Sequence, residues 1–168
     1  TNLQVQQAFP IQSNIFNITS EYGFTIAENL VIDRICGRVS VQQQMGPIRM
    51  NVPMEYPLLP IVRSFNTSEA IVSGLEQIQL IFASEIKQDS SSIGNINYVP
   101  LFFTSKQSGE MRGNFNLNPD PKQNPFLTMF NQSDKVLSAR SEKTLANGVM
   151  SQMVLVWDSD FMIDEGGG

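Results

Sequence analysis

Tyr98-Val99-Pro100-Leu101-Phe102-Phe103-Thr104 and Met153-Val154-Leu155-Val156-Trp157 decide the reading of the fold. Each has strand length and is apolar at almost every position. A strand with one wet face alternates apolar and polar residues. A continuous apolar run suits a strand covered on both faces, as in a parallel sheet under helices. Both runs end in polar tails, Thr104-Ser105 and Asp158-Ser159-Asp160. Leu30-Val31-Ile32-Asp33 repeats the pattern in a shorter form. The three runs predict an α/β architecture whose strands lie side by side and deliver their tails to one rim.

The flanking sequence supplies the remaining elements. Ile11, Ile15, Ile18 and Tyr22 recur at helical spacing, and Gly23 stands where a C-terminal cap belongs, which predicts a helix of about three turns. Val39 and Val41 alternate with Ser40 and Gln42, Met45-Gly46-Pro47 marks a turn, and residues 48–52 alternate again, which predicts an antiparallel hairpin. Pro53, Pro57 and Pro60 each remove a backbone donor, so their segment is expected to be extended without being a central strand. Asn66-Thr67-Ser68-Glu69 ahead of Ala70, Ile71, Val72 and Leu75 predicts a short helix. Residues 77–83 and 136–139 read as further strands. Residues 105–124 read as a loop with a helical turn or a binding loop inside it, and Phe126 to Phe130 as a short apolar segment.

Composition narrows the chemistry. The chain has 168 residues, a formal net charge of −5, no histidine and one cysteine, Cys36. An internal disulfide and a Cys-cluster zinc site are therefore excluded, as are Ser-His-Asp and Cys-His machines. An acidic balance with scattered Lys and Arg argues against nucleic acid, whose phosphates demand a basic face. No apolar run approaches the roughly 20 residues that span a bilayer. Neither a phosphate loop nor a nucleophile elbow is present. The expectation is a single soluble domain over residues 1–168, excised from a longer protein.

Ligands of open α/β sheets bind outside the carboxyl ends of the strands. That places Asp33, Thr104, Ser105, Asp158, Ser159 and Asp160 in one candidate ligand-binding set. Asp158 and Asp160 have the chemistry to hold Mg²⁺ or Ca²⁺ or to act as an acid/base pair. Asp-Ser-Asp also suits a helix start, where all three side chains accept N–H bonds, and that reading is preferred. Cys36 reads as a small apolar residue. No catalytic residue, metal ligand set or cofactor is assigned.

A series of motifs then runs in order along the chain: Phe9-Pro10, Asn14-Ile15, Tyr22-Gly23-Phe24, and Asn29 to Asp33 with Cys36 behind. Tyr56-Pro57-Leu58-Leu59-Pro60-Ile61-Val62, Phe82-Ala83-Ser84-Glu85-Ile86, Pro100-Leu101-Phe102-Phe103-Thr104-Ser105 and Val154 to Phe161 follow. The series resembles GldG, the auxiliary, substrate-binding-like component of gliding-motility ABC transporters. Trp157 stands where that family usually has glycine. The resemblance implies a doubly wound, mostly parallel α/β fold of the glutamine amidotransferase-like or flavodoxin-like kind, with flanking helices and an antiparallel hairpin. It implies the C-terminal portion of a larger extracytoplasmic domain, on the periplasmic face of the inner membrane, anchored by helices absent from this chain. Its partners would be the permease and ATPase subunits of the transporter. It carries no catalytic residues over. The expected function is non-enzymatic contact in the cell envelope, the alternative a sugar or small-molecule binding module at the strand ends.

Overall fold

A computed structural model describes residues 7–9, 13–45 and 47–158. In chain order its elements are β1 (Gln7–Ala8), α1 (Ile15–Glu21), β2 (Phe24–Ile26), β3 (Leu30–Asp33), β4 (Cys36–Met45), β5 (Ile48–Val62) and β6 (Ser64–Phe65). Then come β7 (Ile78–Gln79), β8 (Ile86–Gln88), β9 (Asn97–Phe103), β10 (Ser108–Met111), β11 (Phe115–Asn116), β12 (Val136–Thr144) and β13 (Met150–Val156). Among the described residues every strand pairing is antiparallel. The doubly wound, mostly parallel α/β fold is therefore wrong. A parallel crossover needs a dozen or more residues. Here Arg34 and Ile35 alone join β3 to β4, and residues 104–107 alone join β9 to β10.

The run at 98–104 owes its lost alternation to a bulge rather than to helices on both faces. In the sheet ordered β13-β12-β9-β6, Val136 faces Phe103, Ser138 faces Phe102 and Ala139 faces Pro100. A slip in register moves a side chain to the opposite face. Two slips here send neighbours Leu101 and Phe102 into the same core, at 1% and 3% exposure. The run at 153–157 belongs to β13, the edge of that sheet. It alternates after all: Leu155 is buried and Val154 faces solvent.

The short run in β3 is the one that behaves as expected of a doubly covered strand. Val31 joins a core with Val62, Leu80, Leu101, Phe102 and Leu137, and Ile32 joins another with Tyr56, Leu58, Met111, Phe115 and Leu127. Phe24, Ile86, Ala139 and Leu155 form a third cluster. Strand β3 thus stands between two cores although its ladder partner, β10, runs antiparallel to it.

Other expectations fare unevenly. Helix α1 ends as foreseen, with Gly23 at φ 77° after the last turn, but residues 10–12 at its expected start lie outside the described residues. Its apolar stripe points outward, with Ile15 and Ile18 exposed, while Phe16 packs its ring on Trp157 at 5.4 Å. The helix expected after Asn66 shrinks to a 3₁₀ turn, Ala70–Val72. Of residues 77–83 only Ile78–Gln79 is strand, because the chain turns through Phe82 at φ 53°. Residues 105–124 hold β10 and β11, and the expected helical turn is a single one at 120–124, where the Gln123 and Asn124 N–H groups both donate to the Asp120 carbonyl at 2.9 Å.

Strand β5 runs through all three prolines and lies between β4 and β7, against the expectation that the prolines keep it from a central place. Between Glu55 and Pro60 its register with β4 jumps, so Pro57 falls where β4 offers no partner. The foreseen hairpin exists, and it projects. Val39 faces Met54, Val41 faces Val52 and Gln43 faces Met50, all on one side of the ribbon. Arg38–Glu55, Ser40–Pro53, Gln42–Asn51 and Gln44–Arg49 oppose each other on the other side. Among its described residues from 38 to 55 none is buried. Ile48 and Met50, near the tip of the apolar side, are 60% and 51% exposed.

Candidate functional site

Asp33 closes β3 and is buried. Its carboxylate accepts the Ile35 N–H at 2.8 Å, the Ser105 N–H at 2.6 Å and the Ser105 hydroxyl at 2.6 Å. Thr104, also buried, accepts the Lys135 N–H at 2.8 Å and donates its own hydroxyl to Ser108 at 2.9 Å. The structure thus brings together Asp33 and Ser105, and sets Thr104 beside them at the start of β12. Three donors converging on one carboxylate latch the β3–β4 link to the tail of β9.

Strands β9 and β13 flank β12 and run the same way, so Thr104 and Asp158 leave the sheet at the same end. Asp158 accepts the Ile81 N–H at 2.6 Å, tying the edge strand to the segment after β7. Ser159 and Asp160 lie outside the described residues.

Beside the latch is an ionic cluster that the sequence did not disclose. Lys135, with 6% of its side chain exposed, donates to Glu85 at 2.8 Å and to Glu110 at 2.9 Å. Asn29 and Arg112 complete the shell of Glu110, at 2.6 Å each. Burial alone pushes the Glu110 pKa up. Hydrogen bonds from Arg112, Lys135 and Asn29, with the attraction of the Lys135 charge, outweigh it and bring the group down to about 2. Its ammonium and carboxylates are engaged with one another, so the cluster joins β8, β10 and β12 without leaving a nucleophile or base unpaired.

Past Asp33 the chain opens onto a cleft of about 200 Å³. Arg34 and Cys36 form one side, and Glu55 and Pro57 of β5 another. Pro119, Pro121, Leu127 and Phe130 close it. The wall holding the prolines is rigidified by a ladder of side chains acting as turn acceptors. Asn116 accepts the Asn118 N–H, Asn118 accepts the Asp120 N–H and Asp120 accepts the Lys122 N–H, each at 2.9 Å. Buried Asn124 donates to the Asn116 carbonyl at 2.6 Å, and the Tyr56 hydroxyl donates to the Leu117 carbonyl at 2.6 Å. Cys36 is half-buried rather than an interior hydrophobe, and burial, with the negative charge of Glu55, pushes its thiol pKa up. The Arg34 guanidinium lies 5.8 Å from the centre of the Phe130 ring. Sequence reading passed over Arg34 and Phe130. The usable signal was the Asn-x-Asn-Pro-Asp-Pro spacing at 116–121, which builds turns rather than a featureless loop.

A family model described as an ABC-type uncharacterized transport system matches residues 1–166. The chain belongs to that family, whose members are auxiliary components of ABC transport systems. No curated protein and no solved structure matches it.

Proposed function

We propose that this auxiliary component of an ABC transport system is a non-enzymatic contact domain on the extracytoplasmic face of the membrane. In this reading it is held there by helices outside the chain and engages the permease subunit, and through it the ATPase, in a system of the gliding-motility type its motifs resemble. The observation that supports contact is the β4–β5 ribbon. A lone two-stranded hairpin is marginal in water, and its outer edges carry unpaired backbone groups. This one also presents an apolar side, through Val41, Val52, Met50 and Ile48, that none of the described residues buries. Its charged residues, Arg38, Glu55 and Arg49, all sit on the opposite side. A partner supplying an apolar surface removes that area from water and gives the ribbon the second layer it lacks. The non-enzymatic reading is supported by the latch and the ionic cluster, where Asp33, Glu85, Glu110 and Lys135 are occupied in holding strands together.

The test is capture of the transport subunits from membranes of cells expressing the tagged protein. Permease and ATPase should co-purify with the unaltered protein and be lost when Ile48 and Met50 are both replaced by serine. Recovery of neither subunit by the unaltered protein, or equal recovery by both forms, would overturn the proposal.

A further inference from the structure

We infer that the cleft between the β3–β4 link, β5 and the 117–130 segment is a binding site for a small carboxylate carried on a short apolar body. This is independent of the contact role, which concerns the ribbon.

Three observations carry it. First, Arg34 is exposed, and among the described residues its guanidinium has no carboxylate or carbonyl partner. It is instead held over the face of Phe130, an arrangement that fixes a guanidinium while leaving its N–H edge free to grip a carboxylate bidentately. Secondly, the surface beside it is apolar and preformed. Pro57, Pro119 and Leu127 have little freedom to lose, and the Asn116–Asn118–Asp120 turn ladder sets the proline wall before any ligand arrives. Thirdly, Glu55 is the one carboxylate among the residues lining the cleft, and its side chain is 70% in solvent, with Arg38 3.9 Å away. The volume, about 200 Å³, falls below the roughly 300 Å³ at which drug-sized pockets begin, so the ligand is a small one.

Cys36 makes the site directly readable, because it is the sole cysteine of the chain and borders the cleft. The rate of its alkylation by iodoacetamide reports occupancy. Hexanoate should slow alkylation in a saturable way, whereas hexanol and hexylammonium at equal concentration should not. Arg34→Gln should abolish the protection, and Arg34→Lys should keep part of it. The side chain is exposed, so both variants should melt with the unaltered protein. Protection by hexanol equal to that by hexanoate would show that the guanidinium plays no part and would overturn the inference. So would stronger protection by hexylammonium, which would make Glu55 the reader, and so would hexanoate protection that survives Arg34→Gln. An unchanged alkylation rate at every hexanoate concentration would overturn it equally.

Discussion

Strand β3 and the β4–β5 ribbon are neighbours in sequence, two residues apart, and opposites in environment. Both are antiparallel pairings, and the ribbon's register is unbroken between residues 38 and 55, as that of β3 with β10 is throughout. Val31 and Ile32 of β3 are shut into two different cores, while no described residue between 38 and 55 of the ribbon is buried. The hydrogen-bonding pattern is shared, so it does not explain the difference. What separates the two regions is whether a further layer packs on the pleated face. The chain passes from one state to the other across Arg34 and Ile35, and the Asp33 latch and the cleft beside it sit at that passage.

The comparison breaks most readily at Gly109 in β10, which faces Ile32. A methyl group there would collide with the Met129 carbonyl oxygen, a backbone atom with no rotamer to escape through. Gly109→Ala is expected to cost about 3 kcal/mol, the upper part of the usual range for overpacking. Next comes the body's ionic cluster. Lys135→Met should cost about 2–3 kcal/mol, because it removes the buried cation that Glu85 and Glu110 share, while Arg112 and Asn29 still hold Glu110 and Lys87 stands 3.6 Å from Glu85. An unfolding free energy from denaturant titration within about 1 kcal/mol of the unaltered protein's, on the scale of an exposed pair, would mean the cluster behaves like surface charge. The latch follows: Asp33→Asn keeps the shape but turns one acceptor into a donor facing other donors, at about 2 kcal/mol.

Acid should loosen the same body. Glu110 titrates at about 2 in the folded protein against an ordinary 4.5, so the folded state binds its proton less readily than the unfolded chain does. Its contribution is therefore complete above pH 4.5 and fades as the pH falls toward 2. Glu110→Gln should flatten that part of the stability–pH curve. A curve of unchanged slope between pH 5 and 2 would place the acid sensitivity in other carboxylates.

Much of the local structure was legible. The helix with its glycine cap, the hairpin about residues 45–47 and the strands at β3, β9, β12 and β13 all follow from periodicity and turn residues, which are properties of short windows. Strand direction was not legible from the apolar runs, because a bulge and a doubly covered strand leave the same mark, as Leu101 and Phe102 show. The spacing between strands held better information. Two residues between Asp33 and Cys36 leave no room for a crossover. At the rim, Asp33, which closes β3, and Ser105, which follows β9, do meet, but through a latch between antiparallel elements and not at the edge of a parallel sheet. The partners of the cleft were hidden because Arg34 meets Phe130, and comes to share a cleft with Pro119, only through long-range folding, for which no local pattern exists.

The smallest effect on stability is the one that sharpens the comparison furthest. Replacing Ile48 and Met50 together by serine removes apolar surface that is already in water, so folding has little to lose. Surface changes of this kind stay within about 0.5 kcal/mol each. The same pair of changes made inside β3, Val31→Ser with Ile32→Ser, would abolish folding, because each buries an unpartnered hydroxyl and empties a core position. The ribbon variant should therefore match the unaltered protein in its urea midpoint and in the slope of its transition. Amides of β4 and β5 between residues 38 and 55 should exchange with solvent far sooner than those of β3 in both forms, since the ribbon opens without disturbing a core. A large loss of stability in the variant would show that the ribbon's apolar side is folded onto the body in solution. Its role as a contact surface would fall with that result.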